Sequence, residues 1–215
     1  MSRVFIVLSL LFVNLLFADF DASKCDQIID KQVYKICYSY RYKGALAVWY
    51  KLDGNLVNKI NIKKRPSFYT EKNLKKRYRS HSRDYTHSGY DRGHLANDAS
   101  FDYDMKIVRK TYTMANIIPQ APMVNRKTWI KAEKLERSVA VSLGSVNVYN
   151  GVVYGLKPQR IGKNQIAVPK AFWKMIYNDE KGYKKCFYYK NDLNTTSMED
   201  KLKNHLVDCE MLSHG

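Results

Sequence analysis

The chain has 215 residues, of which 45% are apolar and 27% charged, so a wholly disordered chain is excluded and one folded domain is expected. It carries 37 Lys and Arg against 20 Asp and Glu, a formal net charge of +17. A charge of this size favours a polyanionic partner: nucleic acid, an anionic membrane surface or a charged glycan. The sequence shows no internal repeat and no sustained heptads, which excludes solenoid and coiled-coil architectures.

The N-terminal residues have the pattern of a secretory signal peptide. Arg3 precedes an almost wholly apolar run from Val4 to Ala18. A helix of that length spans about 22 Å at ~1.5 Å per residue, which is short of a hydrocarbon core of about 30 Å. We predict cleavage after Ala18, so that residues 1–18 are the signal peptide and residues 19–215 a single exported domain, periplasmic or extracellular, without a membrane segment. An uncleaved N-terminal anchor is the alternative.

Export changes how the four cysteines are interpreted. An even number of cysteines in an exported chain favours disulfides. The sequence contains no C-x-x-C pair, the pattern that would indicate a zinc site. Three pairings are open. We prefer Cys25–Cys37 and Cys186–Cys209, which close a local loop near each end of the chain; buried free thiols are the alternative.

The predicted elements describe an α+β fold. Alternating residues predict strands at Val33–Tyr40 and Ala45–Leu52, and Arg109–Pro119 is predicted as a third strand. A helix is predicted from Asn125 to about Val141, because apolar residues recur there at helical spacing without Gly or Pro. The later predicted segments are strands at Val146–Tyr149 and Val152–Tyr154 around Asn150-Gly151, a helix or strand at Phe172-Trp173, and a strand at Cys186–Lys190. Strands before and after one long helix indicate a central antiparallel sheet.

The stretch from Lys59 to His94 concentrates positive charge. It holds eleven Lys or Arg against three acids, with four Tyr interleaved. Cations that contact phosphates and rings that stack on bases are the ingredients of a nucleic-acid surface, although a solvated basic face is the alternative.

His94 closes this stretch in the sequence Asp91-Arg92-Gly93-His94. A neutral His can take a proton from water near neutral pH, and the Arg beside it can hold a phosphate with two hydrogen bonds. We expect Gly93 to allow a backbone conformation that a Cβ would resist, and the surrounding positive charge to keep His94 neutral. The other four histidines are interpreted as structural.

A second group lies on the predicted helix. Asn125, Glu133 and Arg137 follow one another at multiples of four residues, so they stay near one stripe of the helix. The Asn125 carbonyl oxygen suits a hard cation, and Glu133 leans back along the helix towards it. The alternative is an N-cap at Asn125 and a surface pair between Glu133 and Arg137.

Together these residues resemble the DNA/RNA non-specific endonucleases of the ββα-metal (His-Me finger) superfamily. The resemblance covers roughly residues 30–190. The matching segments are Tyr90-Asp91-Arg92-Gly93-His94-Leu95-Ala96, Ala115-Asn116-Ile117-Ile118-Pro119-Gln120, Asn125-Arg126 with Trp129, Glu133 and Arg137, and Val168-Pro169-Lys170-Ala171-Phe172-Trp173-Lys174. One departure is that Asn97-Asp98 follows Leu95-Ala96, where the family usually has Pro.

The resemblance implies a role for each of these positions. His94 would be the general base and Asn125 the one protein ligand of Mg²⁺, for which Mn²⁺ can substitute. Glu133 would orient water around the metal, and Arg92 would bind phosphate beside it. Arg65 and Arg137 are further candidates for substrate binding. The implied reaction is hydrolysis of DNA and RNA phosphodiesters without regard to sequence, leaving 5′-phosphate ends.

Other functions remain open at this point. A non-catalytic exported DNA-binding or DNA-uptake protein explains the charge and the tyrosines, but it gives no reason for Asn125 and Glu133. A nuclease restricted to DNA is equally compatible with the sequence. The oligomeric state, with a homodimer among the candidates, is not legible from these residues.

Overall fold

A computed structural model describes residues 22–195 and 200–212, so the predicted signal peptide lies outside the described residues. The strands are β1 (Gln27–Asp30), β2 (Lys35–Ser39), β3 (Gly44–Asp53), β4 (Asp91–His94), β5 (Ile117–Gln120), β6 (Ser145–Val153), β7 (Arg160–Ile161), β8 (Ile166–Ala167), β9 (Ala171–Asn178), β10 (Tyr183–Lys190) and β11 (Leu206–Val207). Seven of them form one sheet in the order β1-β2-β3-β6-β9-β10-β11, and every neighbouring pair is antiparallel. The predicted central antiparallel sheet is confirmed.

Two α-helices accompany the sheet in the part of the chain that the structure describes. Helix α1 (Met105–Thr111) is short, and Asp104 caps its N-terminus by accepting hydrogen bonds from two backbone amides. A π-helical turn, Val124–Trp129, continues into α2 (Ile130–Leu143), so the long helix predicted from Asn125 is confirmed. Gly144, with a φ of 84°, ends α2 in a conformation that favours glycine. Among the described residues, no helix is both long and apolar enough to cross a bilayer.

The sequence prediction was wrong at two places. The predicted strand Arg109–Pro119 is helical as far as Thr111, and strand β5 begins only at Ile117. The Asp104 cap and the buried residues Val108 and Thr111 favour a helix there, despite several β-branched side chains. The predicted separation of two strands at Asn150-Gly151 does not exist, because Ser145–Val153 is one continuous strand. The Asn150 side chain is buried there and donates a hydrogen bond from Nδ2 to the backbone oxygen of Leu95 at 3.0 Å.

Helix α2 packs across β3, β6 and β9. It turns Ala132, Val139 and Ala140 towards the sheet, where they join the apolar core. The indole of Trp129 is fully buried and meets the rings of Phe172 and Tyr189 edge-on, at centroid distances of 4.9 and 5.3 Å. Such contacts bury a large apolar area, so the helix is held in one position over the sheet.

One ion pair lies inside this core. Lys174 on β9 bonds Glu136 on α2 through Nζ and Oε2, and both side chains have zero solvent exposure. The other carboxylate oxygen of Glu136 accepts hydrogen bonds from Tyr50 on β3, at 2.9 Å, and from Asn97 and Ser100. A buried carboxylate requires such partners, because its desolvation is otherwise uncompensated.

Both preferred disulfides are confirmed. Cys25–Cys37 ties the start of the described chain to β2, and Cys186–Cys209 ties the C-terminal segment to β10. In the loop-entropy account each crosslink stabilises the fold by about 3 kcal/mol, chiefly by restricting the unfolded chain.

Replacing Lys174 tests the buried pair. Lys174→Met leaves the Glu136 carboxylate inside the core with uncharged donors only, so we expect the free energy of unfolding to fall by about 3–5 kcal/mol. Urea unfolding followed by Trp fluorescence measures the change. Lys174→Met/Glu136→Gln removes both charges and should recover much of the loss. A Lys174→Met protein as stable as the wild type would contradict the presence of a charged Glu136 carboxylate inside the core.

Candidate active site

Strands β4 and β5 form a separate two-stranded ribbon that leads into the π-helical turn and α2. Asp91 faces Gln120 and His94 faces Ile117 in the antiparallel register. A Cβ on Gly93 would lie 2.0 Å from the side-chain oxygen of Gln120, and Gly93 does not adopt a positive φ. The glycine is therefore required by close packing and not, as the sequence suggested, by backbone conformation.

His94 lies against two aromatic rings. Its ring centroid is 5.5 Å from that of Phe68 and 4.8 Å from that of Tyr112, which meets it edge-on. Arg92, two residues earlier on the same strand face, places its guanidinium 5.3 Å from the centroid of the Phe68 ring. The aromatic contact thus brings together the predicted base and the predicted phosphate ligand of β4.

Burial of the imidazole lowers the pKa of His94 to about 4. The Asp98 carboxylate opposes this shift, and the positive charge of Arg65 adds to it. Burial is therefore the main cause, whereas the sequence suggested surrounding positive charge. His94 is neutral at physiological pH. Its Nε2 is buried without a hydrogen-bond partner among the described residues, which leaves Nδ1 as the nitrogen that can meet a water.

Asn125 is held in one orientation by Asp91. Its Nδ2 donates to Asp91 Oδ2 at 3.0 Å, and Arg126 grips the same carboxylate through Nε and Nη2 at 2.7 and 2.6 Å. Burial works to raise the pKa of Asp91, but the hydrogen bonds from Arg126 and Asn125 outweigh it and hold the pKa below its ordinary value. Asp91 is therefore an anion that accepts, and it turns Oδ1 of Asn125 the other way.

These residues fit a hard divalent cation. Within the described part of the chain no donor hydrogen-bonds Asn125 Oδ1, so a fixed carbonyl oxygen is available as a ligand. Residues 22–195 and 200–212 contain no group of three or more His, Cys, Asp or Glu side chains that could hold a metal. A cation at Asn125 would therefore be coordinated largely by water and substrate oxygens, an arrangement typical of Mg²⁺.

Arg65 lies beside His94 but faces carboxylates. Its Nε is 3.3 Å from Asp98 Oδ2, and its Nη2 donates to Asp102 Oδ2 at 2.9 Å. Its Nη1 is buried and has no partner among the described residues. Asp98 also accepts the Tyr112 hydroxyl at 2.6 Å. A phosphate at Arg65 would therefore share the guanidinium with two acids of the protein.

Glu133 and Arg137 both lie on α2, but no hydrogen bond or salt bridge of the kind that the surface-pair alternative requires joins their side chains in the described part of the chain. Arg137 Nη1 instead donates to Asn97 Oδ1 at 3.0 Å. Burial raises the pKa of the Glu133 carboxyl from 4.5 to about 7; Lys174 opposes this shift and Glu136 adds to it. Asn125 is an internal residue of the π-helical turn, so the N-cap alternative is also wrong.

The sequence did not identify several residues that shape this site. Asp91 lies in the recognised motif, yet its contact with Asn125 depends on the way the ribbon meets the helix. Glu136 could have been suspected, because it is a charged residue on the apolar face of α2. Nothing in the local sequence distinguishes Phe68 from other aromatic residues. Of the histidines interpreted as structural, His81 and His205 do make fixed contacts, with Thr70 and Asp200 respectively.

Comparison with known proteins defines the class to which this fold and site belong. The family model described as DNA/RNA non-specific endonuclease matches residues 15–214. The chain therefore belongs to the DNA/RNA non-specific endonuclease family, as the sequence resemblance predicted. A solved structure entitled "Crystal structure of the EndoG/EndoGI complex: Mechanism of EndoG inhibition" superimposes with a TM-score of 0.80 at 25% identity, over 87% of this chain and 82% of that one.

Individual relatives match only part of their own length. The mitochondrial Endonuclease G of Homo sapiens is 31% identical over 166 residues, which is 73% of this chain and 56% of the relative. A nuclease of Nostoc sp. is 34% identical over 93 residues, 43% of this chain and 33% of the relative. The chain thus spans about half the length of the first of these relatives.

The raised pKa of Glu133 predicts a pH-dependent gain in stability when its charge is removed. The folded chain keeps the proton up to about pH 7, whereas the unfolded chain loses it near 4.5. The stability contribution of protonated Glu133 is therefore complete below about pH 4.5 and is lost as the pH rises through 7. In metal-free buffer we expect Glu133→Gln to match the wild type near pH 4 and to exceed its unfolding free energy by on the order of 3 kcal/mol near pH 8. Urea unfolding at each pH measures this. Equal stabilities near pH 8 would mean that the folded protein already solvates the carboxylate.

Proposed function

We propose that this protein is an exported, Mg²⁺-dependent endonuclease that hydrolyses phosphodiester bonds of DNA and RNA with little regard to sequence and leaves 5′-phosphate ends. The observation that carries the proposal is the arrangement around β4. The strand presents a neutral, aromatic-packed His94 on one face and, through Asp91, fixes the carbonyl oxygen of Asn125 at the start of the helix. A base and a cation ligand held by one rigid ribbon are what in-line hydrolysis of a phosphodiester requires.

The chain's own residues support each part of this reaction. His94 accepts the proton from the attacking water through Nδ1, and its low pKa keeps the imidazole unprotonated above about pH 4. Arg92 is exposed beside it and holds a phosphate oxygen. Asn125 would hold a Mg²⁺ ion, which when bound would supply neutralisation of the negative charge that develops during hydrolysis. Glu133 and Arg137 lie further along α2, where they orient water and bind an adjacent phosphate.

A nuclease that contacts only phosphates has little sequence preference, because phosphate contacts position a protein on nucleic acid but do not read the bases. The two disulfides support export to an oxidising compartment, since such bonds are rare in the cytosol. A homodimer stays a prediction, which sedimentation of the mature chain tests. Incubation of plasmid and of RNA with the protein, in Mg²⁺ or in EDTA, separates this proposal from a non-catalytic DNA-binding protein and from a nuclease restricted to DNA.

Loss of the base should abolish most of the activity. His94→Ala removes the proton acceptor, so we expect hydrolysis to slow by at least about 10²-fold while DNA affinity and fold survive. Initial rates on supercoiled plasmid measure this. His87→Gly is the matched control, because His87 is an exposed histidine whose φ of 55° suits glycine. Cleavage by His94→Ala at the wild-type rate would show that another group is the base.

The two helix residues should differ in their dependence on metal. Asn125 is proposed to ligate the cation directly and Glu133 through water. Asn125→Ala should therefore raise the Mg²⁺ concentration for half-maximal activity more than Glu133→Gln does. Titration of activity against Mg²⁺ for both variants makes the comparison. The reverse ranking would mean that the two roles are exchanged.

The basic cluster Lys72–Arg79 should control the salt dependence of binding. Lys72, Lys75, Lys76 and Arg77 are exposed there. If these four contact DNA, affinity should fall roughly 10²-fold between about 50 and 200 mM salt, and their replacement by Gln should remove most of that slope. Affinities of the His94→Ala protein across a salt series measure it. The control replaces four exposed lysines elsewhere: Lys181, Lys184, Lys185 and Lys203. An unchanged slope after replacement of the cluster would make it a solvated face.

A further inference from the structure

The Asn97 side chain connects the buried ion pair to Arg137, which is a predicted phosphate ligand. It is only 2% exposed and follows β4 by three residues. Its Nδ2 donates to Glu136 Oε1 and to Ser100 Oγ, the latter at 2.8 Å. Its Oδ1 accepts from the backbone nitrogen of Ser100 at 3.1 Å and from Arg137 Nη1 at 3.0 Å. The amide thus uses both donors and both acceptor positions.

These four contacts allow one orientation of the amide only. A flipped Asn97 would point its NH₂ group at the Arg137 guanidinium and its oxygen at the Glu136 carboxylate, so two attractive contacts would become repulsive. Glu136 is itself fixed by its ion pair with Lys174 and by the Tyr50 hydroxyl. The position of the Arg137 guanidinium is therefore determined by a rigid chain of contacts that begins inside the core.

We propose that Asn97 is a positioning residue for phosphate binding by Arg137, an inference that rests on the proposed nuclease function. An arginine side chain is flexible and loses rotamer freedom when it binds a phosphate. Asn97 engages one of the five N–H donors of Arg137 and so restricts the guanidinium before the substrate binds. The remaining donors of Arg137 stay available for phosphate oxygens. Preorganisation of this kind strengthens substrate binding without a new contact to substrate.

Asn97 also has a structural role, which the test has to separate. It caps the short 3₁₀ turn Asp98–Ser100 by accepting from the backbone nitrogen of Ser100. It is also one of the donors that satisfy Glu136. Removal of the amide therefore costs stability whether or not Arg137 matters for substrate. The DNA/RNA non-specific endonuclease family usually has Pro at the position of Asn97, and a proline offers no side-chain amide to an arginine.

The informative variant is Asn97→Ser. Serine is as good a cap as asparagine, but its side chain is too short to span from Glu136 to Arg137. We expect KM for duplex DNA to rise about 10-fold, the effect of one lost hydrogen bond to a charged group, with kcat changed less than about 2-fold. In an Arg137→Ala background the same substitution should change KM by less than about 2-fold, because the group that it positions is gone.

Ser100→Ala provides the matched control. It removes the Ser100 hydroxyl from Glu136 and from Asn97 but leaves the contact between Asn97 and Arg137 in place. We expect it to lower stability in urea and to keep the wild-type KM. Urea unfolding of every variant shows which ones are folded, so that kinetic constants are compared only among folded proteins. Asn97→Ala is a second variant that lacks the amide.

The outcomes are distinguishable. A wild-type protein that leaves DNA and RNA intact in Mg²⁺ overturns the proposed function, and this inference with it. A wild type that cleaves, together with an Asn97→Ser effect on KM that is just as large without Arg137, overturns the inference alone. An equal rise in KM for Ser100→Ala also overturns it, because general loosening of the loop would then be the cause.

Discussion

The ion pair that Glu136 and Lys174 form inside the core connects most of the elements on which the site depends. Lys174 belongs to the central sheet and Glu136 to α2, so the pair fixes the helix at one height over the strands. The same carboxylate accepts a hydrogen bond from Tyr50 on β3. It also holds Asn97 and Ser100 in the loop that leaves β4. One buried charge therefore determines how the sheet, the helix and the His94 strand meet.

The free energy needed to remove the Glu136 carboxylate from water explains why it has several hydrogen-bond partners and a counter-charge. A carboxylate removed from water is strongly unfavourable unless a counter-charge and hydrogen bonds replace its hydration. Glu136 has a full set of them, whereas burial raises the pKa of Glu133, about one turn earlier on the same helix, to about 7 despite the opposing charges of Lys174 and Arg137. The helix thus carries one carboxylate that is fully paired and a second one whose burial disfavours its charge. Perturbed pKa values of this kind are common at residues that serve chemistry and not stability.

The sequence predicted the family, the central antiparallel sheet, the long helix and both disulfides, because each has a local pattern. Helical spacing identified α2, whereas the common stripe of Asn125, Glu133 and Arg137 stays a prediction, because Asn125 lies in the π-helical turn before α2. The prediction was wrong at α1, where a capping Asp104 and buried helical positions outweighed β-branched residues. It was also wrong at Asn150-Gly151, where a dipeptide typical of turns serves a buried contact within a strand.

Other features of the site depend on tertiary contacts, which have no local pattern. The low pKa of His94 arises from burial between Phe68 and Tyr112, rings that are separated from it by 26 and 18 positions in the sequence. The orientation of the Asn125 amide depends on Asp91, which lies 34 positions before it. Arg137 donates a hydrogen bond to Asn97, which occupies the position where the family usually has Pro. Such contacts become visible only when the ribbon, the loop and the helix are seen together.

The most direct test of this account is the location of the divalent cation. Crystals grown with Mn²⁺ in place of Mg²⁺, with diffraction data collected near the manganese absorption edge, give an anomalous difference map in which the metal identifies itself. We expect one strong peak in direct contact with Asn125 Oδ1, on the side of the amide that faces away from Asp91. A map with strong metal peaks elsewhere on the protein and none at Asn125 would contradict the proposed site.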